Sequence, residues 1–131
     1  MIEVSAAIIF VQNKILCLQR GKSKYNYVSY KYEFPGGKLN KGEDPVKALK
    51  REIKEELIIE IEVKEKFKTI FHEYPDFSIK MHCYICHINN FNGKLTEHID
   101  YKLMPIENLD ELDWIDADIA LVEDLMKKYH V

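Results

Sequence analysis

The chain has 131 residues, a formal net charge of −3, 47% hydrophobic and 31% charged residues. That length fits a single domain, residues 1–131, with a real core. The charge excludes a general nucleic-acid or anionic-membrane binder, and no apolar run approaches the ~20 residues that span a bilayer. The first residues, MIEVSAAIIF, hold an acid and no basic leader. A cytoplasmic protein with free thiols at Cys17, Cys83 and Cys86 is expected.

Residues 3–11 (EVSAAIIFV) are β-branched and apolar and predict a strand. A turn at Gln12-Asn13-Lys14 leads to a second strand over 15–19. Residues 21–30 are polar, tyrosine-rich and loop-like. Residues 32–34 are extended, because Pro35 disfavours a helical predecessor. Gly36-Gly37 then permits a backbone path that side chains would block. Asp44 is a good N-cap and Pro45 suits the first helical position, so a helix runs to about Leu57. Its apolar stripe is Val46, Leu49, Ile53 and Leu57, with Lys47, Lys50 and Lys54 toward solvent. A strand is expected over 58–63, then a hairpin of 67–74 with 77–88 across Pro75-Asp76. Asn92-Gly93 is a turn, and 97–104 is extended. A loop follows over 105–112, with room for one helical turn. A final helix, capped by Asp116 or Asp118 and reaching about Tyr129, carries Ile119, Val122, Leu125 and Met126 on one stripe. This order predicts an α+β (mixed α/β) fold with helices packed on a sheet.

The first helix carries Glu52, Glu55 and Glu56 at i, i+3 and i+4. Like charges at this spacing weaken a helix by roughly 0.2–0.5 kcal/mol per pair. They flank the apolar stripe and offer the hard oxygen ligands that suit Mg²⁺ or Mn²⁺. Taken alone, three acids fit a solvated acidic face better than a metal site.

Their context changes that reading. Phe34-Pro35-Gly36-Gly37-Lys38 precedes the helix; Gly37 is followed at fixed spacing by Glu43 and then by Arg51-Glu52-Ile53-Lys54-Glu55-Glu56. This resembles the Nudix box, with every element present except its last glycine, where Ile58 stands; a β-branched residue is poorly suited to the left-handed conformation that the glycine takes, so a different backbone exit is expected there. Residues 32–38 and 112–118 (LDWIDAD) also resemble the MutT and CTP-pyrophosphohydrolase branches. The resemblance implies the Nudix fold, a mixed β-sheet sandwiched between α-helices. It also implies Mg²⁺-dependent hydrolysis of a nucleoside triphosphate to a monophosphate and pyrophosphate, with an oxidised guanine nucleotide or (d)CTP as candidate substrate. Mn²⁺ is the natural substitute. Metal is implied on Glu55 and Glu56 with help from Glu52, and on the Gly37 carbonyl. Arg51 would orient the glutamates, and Glu43 would steady the loop. The proton acceptor stays open among these acids.

Glu97 resembles the acid that some MutT members use as base or extra ligand, and is equally a surface glutamate. Arg20 resembles a phosphate-binding arginine, or is a solvated strand end. Asp118 matches a position that reads the base edge, or is a helix cap; as an acceptor it would favour N–H groups such as those of guanine. Phe34 and Phe77 are candidates for base stacking, with core packing as the default for both. Lys38 is a further substrate candidate beside the glycines. Cys83-x-x-Cys86-His87 resembles half a zinc site or a haem attachment. In an alternating strand those two thiols face opposite sides of a sheet, so no such role is expected. Expected partners are a nucleotide but no polymer or membrane, and the chain is expected to be a monomer or weak homodimer. The alternatives are hydrolysis of another nucleoside diphosphate derivative (ADP-ribose, a nucleotide sugar, a dinucleoside polyphosphate) and a non-catalytic nucleotide-binding module.

Overall fold

A computed structural model describes residues 1–129. In chain order the elements are β1 (Ile2–Val11), β2 (Lys14–Gln19), β3 (Tyr32–Glu33), β4 (Gly36–Lys38), α1 (Pro45–Leu57), β5 (Glu62–Glu73), β6 (Ser78–Ile88), β7 (Asp100–Pro105), a 3₁₀ turn (Ile106–Glu111) and α2 (Asp116–Lys128). The strands form one mixed sheet, ordered β3-β2-β1-β6-β5, with β4 on β1 and β7 on β2. β1 runs parallel to β6 and antiparallel to β2 and β4.

The alternation along β1 divides the core. Ala6 and Ile8 face the side covered by α2, where Leu121, Val122 and Leu125 are buried. Ala7, Ile9 and Val11 face the side covered by α1, with Leu49, Ile53 and Leu57. Helices therefore lie on both faces of the sheet, as the resemblance implies. Cys83 and Cys86 fall into these two opposite clusters, as the period of two requires.

α1 begins as its sequence dictates. The Asp44 carboxylate accepts the amides of Val46 (3.0 Å) and Lys47 (3.2 Å), and Pro45 occupies the first turn. Ser5 Oγ donates to the Pro45 carbonyl at 2.8 Å, which fastens the helix start to β1. Gly36 passes so close to β1 that a Cβ there would overlap the Ser5 carbonyl oxygen.

Four expectations need correction. A different backbone exit was expected at the end of α1, but Ile58 takes the left-handed conformation (φ 56°, ψ 42°) that the family glycine would take. Its amide closes on the Lys54 carbonyl at 3.0 Å, so the helix terminates correctly at a steric cost. Second, residues 58–61 are not a strand: β5 begins at Glu62 and runs through two irregularities to Glu73. Third, β7 begins at Asp100 rather than at 97. Fourth, Ile115 rather than Asp116 or Asp118 occupies the N-cap of α2, with no side-chain cap. The Asp118 carboxylate points into the molecule instead, and Ile119 is exposed.

An isoleucine in the left-handed region costs about 1–2 kcal/mol, and glycine gives back about 0.5–1 kcal/mol through its unfolded-state freedom. Ile58 is 56% exposed, so little packing is at stake. Ile58→Gly is expected to raise the urea midpoint, by several tenths to about 1 kcal/mol in stability. A lower midpoint would show that the Ile58 side chain contributes more than its backbone costs.

Candidate functional site

A cleft of about 710 Å³ opens where β1, β3 and β4 meet α1, α2 and the connecting loops. One wall is acidic. With Leu49, Ile53 and Leu57 held in the core, the helical period turns Glu52 and Glu56 into the cleft. Their side chains are 19% and 3% exposed, against 58% for Glu55. Glu55 is the one of the three acids that does not line the cleft.

Arg51 organises this wall from outside. Its Nε and Nη2 grip both Glu43 oxygens at 3.0 and 2.8 Å, Nη1 donates to Glu52 Oε1 at 2.9 Å, and Nη2 also meets the Lys38 carbonyl at 3.1 Å. Glu55 lies 3.5 Å from Nη1. These hydrogen bonds from Arg51 hold Glu43 down at about 2, and the Asn40 amide adds to the effect. The geometry is that of a guanidinium joining the 38–43 loop to the first acid of the helix. At Gly37, a Cβ would fall within the Glu52 carboxylate, so a glycine is required for Glu52 to lie across the backbone there.

Among the described residues no lysine or arginine pairs with Glu56. Burial pushes its carboxyl up to about 9, and the charges of Glu33, Glu97 and Glu52 push the same way, opposed by the Gly36 amide. The segment after β6 adds two more groups. Lys94 N–H donates to the Leu57 carbonyl (2.8 Å), and Thr96 donates through its amide to Glu56 O (3.0 Å) and through Oγ1 to Glu55 O (2.9 Å). These bonds satisfy the last carbonyls of α1 and bring Glu97 and His98 to the cleft. His98 Nε2 lies 2.8 Å from Glu33 Oε2, and its Nδ1 lies 3.8 Å from Glu56 Oε2.

The rest of the lining includes an aromatic group, Tyr25, Phe34, Tyr74 and Phe77. Phe34 is buried, its ring stacked on Trp114 at 4.6 Å. Phe77 packs against Tyr25 (5.7 Å) and Tyr74 (5.0 Å). The Tyr27 hydroxyl donates to Asp76 and ties the 21–30 loop to the β5–β6 turn. Asp118 is 2% exposed and accepts the Phe34 amide at 3.0 Å. Burial pushes its carboxyl up to about 8, with the Glu33 charge acting the same way. Arg20, Lys24 and Lys38 bring positive charge to the lining.

Of the residues singled out from sequence, Arg20, Phe34, Gly37, Lys38, Glu52, Glu56, Phe77, Glu97 and Asp118 line this one cleft; Arg51 and Glu55 stand behind it. Sequence reasoning missed Glu33, His98, Tyr25 and Tyr74. A signal existed for the first two, since each is polar and adjoins a residue already chosen. Nothing in the sequence pointed to the tyrosines, which meet only through loop packing.

The sequence model of the NUDIX domain family matches residues 1–125. The chain belongs to the NUDIX family. It is 36% identical over 128 residues to a CTP pyrophosphohydrolase of Escherichia coli, covering 96% of this chain and 92% of that one. It is 30% identical over 122 residues to an 8-oxo-dGTP diphosphatase of Buchnera aphidicola, covering 92% and 89%. Among solved structures, a MutT protein of methicillin-resistant Staphylococcus aureus superposes with a TM-score of 0.74 at 40% identity, covering 97% of this chain and 96% of that one. Nudix hydrolases generally depend on a divalent metal. The groups here fit one: a buried carboxyl on the same lining as further carboxylates and the backbone of Gly37 is a hard-oxygen set. Among the described residues no three His, Cys, Asp or Glu side chains already converge on one point.

The raised Glu56 value sets a sign for stability. An acid whose folded value exceeds its unfolded one costs nothing while both states are protonated, and destabilises the fold progressively as pH rises from about 4.5 to about 9. Metal-free Glu56→Gln should therefore be more stable than wild type at pH 8, with the difference shrinking steadily toward pH 4 and below, by urea denaturation in EDTA. Saturating Mg²⁺ should narrow or reverse the difference at pH 8, because only the wild type offers the ion this carboxylate.

Proposed function

We propose that the cleft hydrolyses nucleoside triphosphates to monophosphates and pyrophosphate, with Mg²⁺ as the metal and Mn²⁺ as its substitute. The chain is a Nudix hydrolase acting on phosphoric anhydride bonds. The observation that carries the reading is the composition of one cleft. A buried acid and further carboxylates stand on the same lining as Arg20, Lys24 and Lys38, an aromatic group and a buried aspartate.

A bound divalent ion supplies positive charge at the phosphates and lowers the pKa of water beside it. Glu52, Glu56 and Glu97, with the Gly37 carbonyl, are the groups that would hold it. Arg51 keeps Glu52 in place, and Glu55 serves the same arginine from outside the cleft. A carboxylate of this wall accepts the proton of the attacking water. Arg20 and Lys38 neutralise phosphate oxygens, which anchors the chain for in-line attack. Phe77 offers a face for the base, and Phe34 supports the pocket through Trp114.

Asp118 reads the base edge. The expectation that it only accepts hydrogen bonds changes with its environment, because a carboxyl with a value of about 8 is protonated at neutral pH. It then donates through O–H as well as accepting, and loses the donor as pH rises past about 8.

Two measurements test this reading. A panel of common and oxidised (deoxy)nucleoside triphosphates with Mg²⁺ should release pyrophosphate from at least one of them. Glu52→Gln and Glu56→Gln should each lower kcat by roughly a hundredfold or more, and Glu55→Gln by less. No turnover of any triphosphate, or sugar-phosphate products from other nucleotides alone, defeats the reading. Asp118→Asn carries a donor and an acceptor at every pH. It should change the base preference of kcat/KM and abolish the change in that preference between pH 7 and pH 9. An unaltered preference profile would remove Asp118 from base recognition.

A further inference from the structure

Glu33 is a charged residue in a cleft already crowded with acids. It lines the cleft with Glu52, Glu56 and Glu97, and its charge raises the carboxyl values of both Glu56 and Asp118. A triphosphate entering here brings more negative charge, so a lone carboxylate at this position would oppose binding. Both of its oxygens are nevertheless committed. Oε1 meets Arg20 Nη1 at 3.1 Å, and Oε2 lies 2.8 Å from His98 Nε2. The Glu33 side chain is 18% exposed and that of His98 is 5% exposed, so the carboxylate is braced from its inner side. The Arg20 side chain is 39% exposed and, among the described residues, its only ion-pair partner is Glu33.

The backbone places these groups with little freedom. Leu18 pairs with Glu33 across β2 and β3, and the Arg20 amide donates to the Lys31 carbonyl at 2.9 Å. Arg20 and Glu33 therefore leave adjacent strands side by side. A guanidinium has five donors in a rigid fork; one nitrogen on Glu33 sets the plane and leaves the rest of the fork available. A free arginine loses rotamer entropy when it captures a phosphate, and an arginine already held by a carboxylate has lost much of it beforehand.

We propose that Glu33, braced by His98, is a positioning residue that holds the Arg20 guanidinium toward the phosphates of the substrate. Its negative charge is tolerated in a phosphate cleft because it is spent on orienting a cation. This rests on the proposed triphosphate reaction and on Arg20 as its phosphate contact.

The test is a double-mutant cycle on Glu33→Gln and Arg20→Ala, read in KM and kcat for the best triphosphate of the panel. Glu33→Gln should raise KM roughly ten- to a hundredfold, the range for a hydrogen bond to a charged group, while kcat changes much less. The double variant should bind no worse than Arg20→Ala alone, because Glu33 acts only through that arginine. Glu33→Asp keeps the charge one methylene shorter and should recover part of the loss; it also supplies the cycle if Glu33→Gln folds poorly. The same cycle in the Kd of inorganic tripolyphosphate with Mg²⁺, by titration calorimetry, needs no turnover and separates this inference from the reaction assigned to the cleft. Additive losses in Glu33 and Arg20 variants overturn it. So does an unchanged or lower KM and Kd in Glu33→Gln, which would mean that Glu33 merely repels phosphate. A loss shared equally by kcat and KM would make Glu33 a part of the fold of the cleft, and would overturn it as well.

Discussion

Glu56 occupies a helical position whose neighbours, Leu49, Ile53 and Leu57, are fully buried against the sheet. Apolar burial of about 25 cal/mol per Å² docks α1 and leaves this carboxyl nearly buried, reached only from the cleft. A buried acid with three other acids near it holds its proton unless a cation arrives. Much of this end of the molecule follows from that one conflict. Arg51 cannot relieve it, since its guanidinium is taken up by Glu43, Glu52 and the Lys38 carbonyl. The core that makes the helix immovable is what makes its acid receptive to a divalent ion.

The end of α1 shows how a poor local solution is stabilised from a distance. Ile58 takes a conformation that its β-branched side chain disfavours, yet the helix stops there. The segment containing Lys94 and Thr96 satisfies the terminal carbonyls of Glu55, Glu56 and Leu57. The same bonds carry Glu97 and His98 to the acidic wall. Helix termination and completion of the site are thus one set of interactions, and the strain at Ile58 is borne by a turn that the site itself needs.

Asp118 plays a comparable part opposite the acidic wall. Its carboxylate accepts the Phe34 amide across 84 residues of sequence, so α2 and the strand before Gly36-Gly37 share a buried bond. Backbone bonds from Tyr32 to Asp113 and from Ile115 to Tyr32 (2.8 and 2.9 Å) run beside it. The aromatic group, the glycine turn and α2 are therefore held in register with one another. Glu33 lines the same cleft, and its charge acts on acids in both regions.

Local chemistry was enough to read much of this molecule from its residues. Asp44 and Pro45 announce the start of α1, the 3.6-residue period assigns its buried face, and alternation in β6 separates Cys83 from Cys86. These depend on neighbours within a few positions, where geometry is set by the backbone itself. The family pattern likewise marked Gly37, Glu52 and Glu56. Other features depend on what sits opposite. Asp116 and Asp118 are both good cap residues, and only the packing of α2 against the sheet sends Asp118 inward and leaves the cap to Ile115. Ile58 has a β-strand propensity that the docked helix overrides. The partition of the three glutamates, with Glu52 and Glu56 in the cleft and Glu55 outside, requires the rotation of α1 against the sheet. Glu33 and His98 adjoin residues that the sequence marked, but a carboxylate and an imidazole 65 residues apart acquire a joint role only when long-range pairing closes the distance to 2.8 Å.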